Sequence, residues 1–370
     1  MSIAEILGAL AAADNLRCIP ADRRRSAALD LSGNDYLGLA VRDDLRREFM
    51  EEAVRNGYAM TASASRLLGG LQDEFNALEQ SVATAYGRPA LLFNSGYHAN
   101  TGMIAALSSD RHTLVVADRL VHASIIDGIR LGGAPMERFR HNDYDHLRRI
   151  LRSKAGAYSR TLIIAESIYS MDGDRADIAA LVDAKESVPG AMLYIDEAHA
   201  VGACGPRGLG LVEEAGLGNR VDIVLGTMGK ALASTGAYAV LSDELRSFMV
   251  NKARSLIFST AMPPICAAWG RFVFERMQLM DDERRHLAQL SQDLYRALGQ
   301  GGTPCHIAPL LAGSSARALE MSAALENLGY HVLPIRTPTV PPGTERLRFS
   351  ISAAMSREEI RGLASAVASL

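Results

Sequence analysis

Cysteine, excess charge of one sign and long apolar runs are all scarce in this chain. Its 370 residues include four cysteines, which stand far apart and form no CxxC pair: Cys18, Cys204, Cys266 and Cys305. This usage argues against a disulfide-stapled fold and against a metal site, and it predicts a reduced, cytoplasmic location. The 39 basic and 42 acidic residues give a net charge of −3, which disfavours nucleic acid as a partner because nucleic-acid-binding proteins are usually strongly basic.

No uncharged apolar run reaches the ~18–20 residues that a membrane-spanning helix needs, so no membrane span is expected. Residues 1–16 contain Glu5 and Asp14 and lack a basic start followed by an apolar core, which predicts no secretory signal. Apolar residues, in contrast, make up 48% of the chain and charged residues 22%, as in folded globular proteins. The length suits one large domain with a smaller one, or two ordinary domains.

Short apolar runs alternate with helical patterns between about residues 41 and 243. Six of these runs are too short for helices and predict buried strands, at residues 90–93, 113–116, 161–164, 192–195, 222–225 and 237–240. Strands separated by helix-length segments predict an α/β fold with a mostly parallel sheet. Ligands bind beyond the carboxyl ends of the strands in such sheets, so the residues that follow each run are the candidates for a binding site.

The pattern changes after residue 264. Helical stretches at 271–298 and 316–328, strand-like pieces at 331–335 and 346–351 and a last helix predict a smaller α+β domain. We therefore expect an N-terminal arm over residues 1–40, a large domain over 41–270 and a small C-terminal domain over 271–370. The basic run at residues 23–25 of the arm is most simply a solvated surface.

Two of the predicted strands are followed by residues suited to cofactor chemistry. Asp196 ends an apolar run, and His199 follows three residues later. The acid would either cap a helix or pair with a cationic group of a bound cofactor. Lys230 lies in the small-residue segment 226–232 beside Thr227, where a desolvated amine can attack a carbonyl group. The segment lacks the spacing of a phosphate-binding P-loop, and a surface lysine in a turn is the alternative.

Three further strand ends carry small or polar residues. Gly96 and Tyr97 lie between a strand and a helix, where backbone N–H groups can bind an anion such as phosphate. His122 follows the second predicted strand, where it would either stack on a flat heterocycle or cap a helix. Ser170 follows the third predicted strand, where it would either present a hydroxyl group to the same cleft or form a turn.

Together these five segments resemble those of the α-oxoamine synthases, a branch of the pyridoxal-phosphate-dependent, aminotransferase-like (fold type I) enzymes. The resemblance covers nearly the whole chain, from residues 34–39 to Arg346–Ser350. It implies an α/β large domain with a mostly parallel sheet, a smaller α+β C-terminal domain and pyridoxal 5'-phosphate as cofactor. It also implies a homodimer whose two subunits share each active site.

The resemblance also implies a role for each candidate residue. Lys230 would bind the cofactor covalently, Asp196 would hold the pyridine nitrogen protonated and His122 would stack on the ring; these three are the expected catalytic residues. The other expected cofactor-binding residues are Gly96, Tyr97, Ser170, His199, Thr227 and Thr260, of which Thr260 would reach a phosphate in the partner subunit. The expected substrate-binding residues are Arg17, His122, Arg336, Thr339 and Arg348, and Arg336 and Arg348 are the arginines associated with carboxylate binding.

The activity that this resemblance implies is a decarboxylative condensation. The freed lysine removes the α-proton of an amino acid, and the resulting carbanion attacks an acyl thioester of coenzyme A or of a carrier protein, after which carbon dioxide is lost. Residues 259–264 and 337–344 favour a member that joins L-alanine to a pimeloyl thioester in biotin biosynthesis. Synthases that use glycine or serine, and a non-catalytic relative that binds a ligand on the same fold, are the alternatives. Departures from the family pattern at residues 61–66, at Phe75 and at Glu197 concern the acyl specificity rather than the cofactor chemistry.

Overall fold

The computed structural model describes residues 2–19 and 29–370, so the basic run at residues 23–25 lies outside the described residues. The described α-helices are α1 (Ile3–Ala12), α2 (Asp43–Asn56), α3 (Asp73–Tyr86), α4 (Gly96–Leu107), α5 (Ala123–Gly132), α6 (Tyr144–Lys154), α7 (Ile178–Glu186), α8 (Leu211–Glu214), α9 (Asp243–Lys252), α10 (Arg254–Ile257), α11 (Pro264–Met277), α12 (Asp281–Ala297), α13 (Ser315–Asn327) and α14 (Arg357–Ala368). The described strands are β1 (Leu29–Asp30), β2 (Ala90–Phe93), β3 (Thr113–Asp118), β4 (Met136–Phe139), β5 (Arg160–Glu166), β6 (Ala191–Asp196), β7 (Ile223–Thr227), β8 (Ala237–Val240), β9 (Ile307–Leu311), β10 (Tyr330–His331), β11 (Pro334–Ile335) and β12 (Arg346–Ser350). None of the helices within these described ranges is long and apolar enough to cross a membrane.

The chain forms two compact units. The first contains the described residues of Met1–Tyr36 together with Ser170–Asp174 and Arg285–Leu370, and the second contains Leu37–Tyr169 and Arg175–Arg284. These bounds differ from the expected division at residues 40 and 270, because the N-terminal segment shares a unit with the C-terminal one. The three-part division into arm, large domain and small domain stays a prediction.

The second unit is built on a seven-stranded sheet with the strand order β2-β8-β7-β6-β5-β3-β4. Strands β3 to β7 run parallel, and only β8 runs antiparallel to its neighbours β2 and β7. All residues of β2, β3, β7 and β8 are buried, as expected for strands that are covered on both faces. The expected mostly parallel sheet is therefore confirmed.

Strand β4 was not predicted from the sequence, and its position explains why. Among the described strands it forms the edge of the sheet and pairs with β3 alone. Its residues Glu137 and Arg138 are polar and at least partly exposed, so the segment lacks the continuous apolar run of the central strands. The edge position thus removes the sequence signal by which the inner strands are recognised.

The first unit contains a three-stranded antiparallel sheet, β11-β12-β9, and a two-stranded parallel pair, β1-β10. The strand expected at residues 346–351 is β12, whereas the piece at 331–335 is two short strands. Strand β9 was not predicted. The single helix expected at residues 271–298 is two helices, α11 and α12, and α11 begins earlier at Pro264, where proline suits the first turn.

Candidate active site

A cavity of about 160 Å³ lies beyond the carboxyl ends of the parallel strands of the second unit. Seven of the residues predicted from the sequence line it: Gly96, Tyr97, His122, Asp196, His199, Thr227 and Lys230. Its lining also includes residues that the sequence analysis did not select, Asn100, Ser124, Glu166 and Ala198. The structure therefore brings together, at the ends of the four strands β2, β3, β6 and β7, the residue types expected to hold one cofactor.

One end of the cavity is formed by the start of α4. Ser95 is the N-cap, with extended backbone, and its Oγ accepts a hydrogen bond from the N–H of His98 at 3.2 Å. The N–H groups of the first helical residues, Gly96 and Tyr97, have no acceptor within the helix and are suited to an anion. A Cβ atom at Gly96 would lie 3.8 Å from Oγ1 of Thr227, so this hydroxyl group lies beside the helix start. Two main-chain donors and a hydroxyl group are a suitable set for a phosphate.

The acid of the site is Asp196, the last residue of β6, which is buried. Its Oδ1 accepts a hydrogen bond from the N–H of Ala198 at 2.9 Å, and its Oδ2 accepts one from Nδ2 of Asn100 at 2.8 Å. Hydrogen bonds donated to a carboxylate favour its charged form, which compensates for the loss of water around it. The arrangement places a negative charge where a cationic ring nitrogen can meet it.

A second buried carboxyl group, Glu166, lies directly beside Asp196 in the register of β5 and β6. Burial raises the pKa of Glu166 well above its usual value, and the negative charge of Asp196 raises it further. Glu166 accepts the backbone N–H of His122 through Oε1. The raised pKa favours the neutral form of Glu166 beside the hydrogen-bonded carboxyl group of Asp196. Sequence reasoning missed Glu166, although it ends an apolar run just as Asp196 does.

Lys230 supplies the amine of the site. Its Nζ lies 2.7 Å from Nε2 of His199, a hydrogen bond that holds the amine at the cavity. The chain has four lysines. Lys154 pairs with Glu137, Lys185 lies 3.5 Å from Asp222, and Lys252 is exposed on α9. Lys230 is the lysine that lines the cavity.

Thr260 lies in the second unit but does not line this cavity. It follows α10, and its side chain is exposed. Its carbonyl oxygen accepts a hydrogen bond from Nδ2 of Asn94 at 2.6 Å, and the next N–H, of Ala261, donates to the carbonyl of Ala64 at 3.0 Å. The main chain around Thr260 is thus fixed while the residue itself is exposed.

The remaining predicted residues belong to the first unit. Nη2 of Arg17 donates to Oγ1 of Thr339 at 2.7 Å, so the structure places these two predicted substrate residues in contact. Arg336 donates to the carbonyl groups of Asp14 and Leu16. These hydrogen bonds hold the chain just before Arg17. Their substrate-binding roles stay predictions.

Arg348 is the most buried of the predicted substrate residues, with 7% of its surface exposed. Its Nε donates to the carbonyl oxygen of Ser170 at 2.5 Å, and its Nη2 donates to Oδ1 of Asn34 at 3.0 Å and to the hydroxyl oxygen of Tyr36 at 3.4 Å. Burial raises the pKa of Tyr36, so this phenol stays neutral. These partners of the guanidinium group are all uncharged. The cofactor role expected for Ser170 stays a prediction.

Comparisons with known proteins agree with this site. The family described as aminotransferase class I and II matches residues 26–367. An 8-amino-7-oxononanoate synthase of Chlorobaculum parvum is 50% identical over 351 residues, which cover 92% of this chain and 89% of that protein. Two solved structures of serine palmitoyltransferase superpose closely. The S. paucimobilis enzyme, solved with bound PLP joined to myriocin, has a TM-score of 0.90 at 26% identity and covers 99% of this chain and 96% of its own. The Sphingomonas wittichii enzyme has a TM-score of 0.89 at 29% identity, with 99% and 95% covered.

The chain therefore belongs to the class I and II aminotransferase family. Within it, the chain is an acyltransferase of the α-oxoamine synthase type that depends on pyridoxal 5'-phosphate.

The residues at the cavity fit this cofactor. Pyridoxal phosphate carries a phosphate, an aldehyde and a ring nitrogen that is cationic when protonated. The first turn of α4 with Thr227 suits the phosphate, the amine of Lys230 suits the aldehyde, and the buried carboxylate of Asp196 suits the ring nitrogen. His122, on the lining of the same cavity, offers a flat imidazole to the ring. Each functional group of the cofactor thus has a chemically matched residue in one cavity.

When bound, the cofactor supplies an electron sink for negative charge that develops beside the amino group of an amino acid. Lys230 would bind the aldehyde carbon through Nζ and, once released, would take up and return a proton at the same atom. His199 keeps Nζ in place through the 2.7 Å hydrogen bond. Asp196 would hold a proton at the ring nitrogen by its charge, and the raised pKa of Glu166 beside it favours the neutral form of that carboxyl group.

Proposed function

We propose that this enzyme joins L-alanine to a pimeloyl thioester with loss of carbon dioxide, forming 8-amino-7-oxononanoate in biotin biosynthesis. The observation that carries the proposal is the 50% identity to the Chlorobaculum parvum synthase over 92% of this chain. The cavity with Lys230, Asp196 and His122 supports the cofactor chemistry that this reaction requires. The solved serine palmitoyltransferases are less similar in sequence, at 26% and 29% identity.

The chemistry of the substrates adds a requirement for cations, because burying an unpaired carboxylate is costly. Both L-alanine and a pimeloyl donor carry a carboxylate. Arg348 is buried with uncharged partners, so its positive charge is available to a substrate carboxylate. A guanidinium group can pair with both oxygens of a carboxylate at once. We therefore assign one substrate carboxylate to Arg348 and regard Arg17 and Arg336 as the candidates for the other.

The substrate assignment is tested by a screen of amino acids against acyl thioesters. We expect L-alanine with pimeloyl-CoA to exceed glycine with acetyl-CoA and serine with palmitoyl-CoA by at least about 100-fold in kcat/KM, since each methylene group contributes roughly 10–200-fold in a fitted pocket. Release of the CoA thiol gives the rate, and mass spectrometry identifies the amino ketone. Equal or faster turnover of either other pair would move this protein to another branch of the family and leave the cofactor site standing.

We also propose that the active form is a homodimer in which Thr260 of one subunit contacts the cofactor phosphate bound by the other. Thr260 is exposed, and the surface of the same unit carries large apolar residues that water contacts: Met60 is 71% exposed, Leu68 is 84% exposed and Phe258 is 70% exposed. Exposed apolar surface of this kind is typical of an interface. The fixed main chain around Thr260 supports a role that depends on position.

Subunit mixing tests this arrangement. Thr260→Ala alone is expected to weaken retention of pyridoxal phosphate by about 10- to 100-fold, the range for a hydrogen bond to a charged group. A hybrid of a Thr260→Ala subunit with a Lys230→Ala subunit should regain one site of wild-type cofactor affinity, because that site takes Lys230 from one chain and Thr260 from the other. The shared site would be contradicted if every site of the hybrid bound the cofactor weakly. It would also be contradicted if sedimentation showed the fully active enzyme to be a monomer.

A further inference from the structure

A buried chain of hydrogen bonds runs behind the cavity and has Asn100 at its centre. Asn100 is 2% exposed and lies on α4 one turn after Gly96. Its side chain contacts three others: the hydroxyl group of Tyr194 at 2.7 Å, Oδ2 of Asp196 at 2.8 Å and Oγ of Ser124 at 3.0 Å. Sequence reasoning missed Asn100, although its spacing from Gly96 places both residues on the same side of the helix.

The orientation of the Asn100 amide follows from its neighbours. An ionised carboxylate only accepts hydrogen bonds, so the amide must turn Nδ2 toward Asp196 and Oδ1 toward Tyr194. Tyr194 can donate there, because burial and the charge of Asp196 raise the pKa of its phenol well above the usual value and keep its proton in place. The amide is thus locked, with Nδ2 donating to both Asp196 and Ser124.

The second branch of the chain ends at His122. Since Oγ of Ser124 accepts from Asn100, its own proton is free to point at Nδ1 of His122, 2.8 Å away. The backbone N–H of Ser124 donates to the same Nδ1 at 3.2 Å. Two donors at Nδ1 leave no room for a proton on that nitrogen. Partial burial lowers the pKa of His122, which agrees with a neutral ring.

We propose that Asn100 is a positioning residue that fixes two groups at once: it holds Asp196 as an oriented carboxylate, and through Ser124 it holds His122 with its single proton on Nε2. His122 then presents an N–H donor, rather than a base, to whatever oxygen of the substrate lies beside it. The inference rests on the proposed roles of Asp196 and His122 at this site and does not depend on which amino acid or acyl thioester is used.

The first test measures the dissociation constant of pyridoxal phosphate without acyl substrate. Asn100→Ala is expected to raise this constant about 10- to 100-fold, as for loss of a hydrogen bond to a charged group. Thr101→Ala is the matched control, because Thr101 lies next on the same helix and its hydroxyl group bonds only to main-chain carbonyls of that helix. Equal affinities for wild type, Asn100→Ala and Thr101→Ala would overturn the proposal.

The second test observes the ring of His122 directly. Nitrogen-15 NMR of histidine-labelled holoenzyme, with the His122 signals identified by their loss in His122→Gln, should show a neutral ring protonated at Nε2 at neutral pH. In Asn100→Ala the population protonated at Nδ1 or doubly protonated should rise, an effect that a purely structural role would not produce. A wild-type ring with its proton on Nδ1 would overturn the proposal. If Asp196→Asn turned over as fast as wild type, the site assignment itself would be wrong.

Discussion

Replacement of Lys230 with alanine is expected to lower turnover by at least about 10²–10⁴-fold, the range for loss of a positioned acid–base group. In the proposed site Lys230 would provide both the covalent attachment of the cofactor and the amine that moves the α-proton, and His199 beside it has no chemistry that replaces a primary amine. Steady-state CoA release measures the loss. Circular dichroism should show an unchanged fold, because the side chain lines a cavity rather than filling a core.

The attachment itself can be mapped with little ambiguity, since the chain has four lysines. Borohydride reduction of the holoenzyme should place the phosphopyridoxyl label on the peptide that contains Lys230, and the Lys230→Ala protein should remain unlabelled. Lys252→Ala is the matched control, because Lys252 is exposed on α9, and it should keep both label and activity. A label on Lys185 or Lys252 would contradict the assignment.

The central sheet could be predicted from the sequence because burial on both faces leaves a continuous apolar run. The predicted runs at residues 90–93 and 237–240 coincide with β2 and β8. Strand β4 was not predicted, because the edge of the sheet tolerates the polar residues Glu137 and Arg138. A continuous apolar run thus indicates a strand that is buried on both faces. A partly exposed edge strand lacks such a run and is not predicted by this pattern.

The candidate site was predicted to the extent that its residues follow strands. Asp196 comes directly after an apolar run, and His122 and Lys230 follow their runs within a few residues, so the strand-end rule found them. Glu166 also follows an apolar run, but the sequence around it does not indicate a raised pKa. That shift depends on burial and on Asp196, which lies in the neighbouring strand. Asn100 lies within a helix, so its selection requires the position at which that helix begins.

The predicted substrate residues show a different limit. Arg17 and Thr339 are 322 positions apart, yet they share a hydrogen bond of 2.7 Å. No local pattern encodes a contact at that separation, and only the family resemblance selected both residues. The placement of Ser170–Asp174 in the first unit, inside a stretch that otherwise belongs to the second, is equally invisible to local patterns.

Asp196→Asn is expected to lower turnover by about 10²–10³-fold, the range for removal of a preorganised electrostatic group, while the protein still binds cofactor. A neutral amide cannot hold a proton at the ring nitrogen by charge. Its NH₂ group would also face Nδ2 of Asn100 or the N–H of Ala198, both of which are donors. Steady-state kinetics and the dissociation constant of pyridoxal phosphate measure the two effects separately.

The loss of turnover in Asp196→Asn depends on whether the neighbouring Glu166 can replace the missing negative charge. The charge of Asp196 is one cause of the raised pKa of Glu166, so its removal should lower that pKa and let Glu166 ionise more readily. Oε1 of Glu166 is nevertheless directed at the N–H of His122, so it is poorly placed to replace Asp196. We therefore expect Asp196→Asn with Glu166→Gln to be little slower than Asp196→Asn alone. A much slower double variant would show that Glu166 takes over part of the charge, and near-wild-type turnover of Asp196→Asn would reduce Asp196 to an acceptor for the Ala198 N–H.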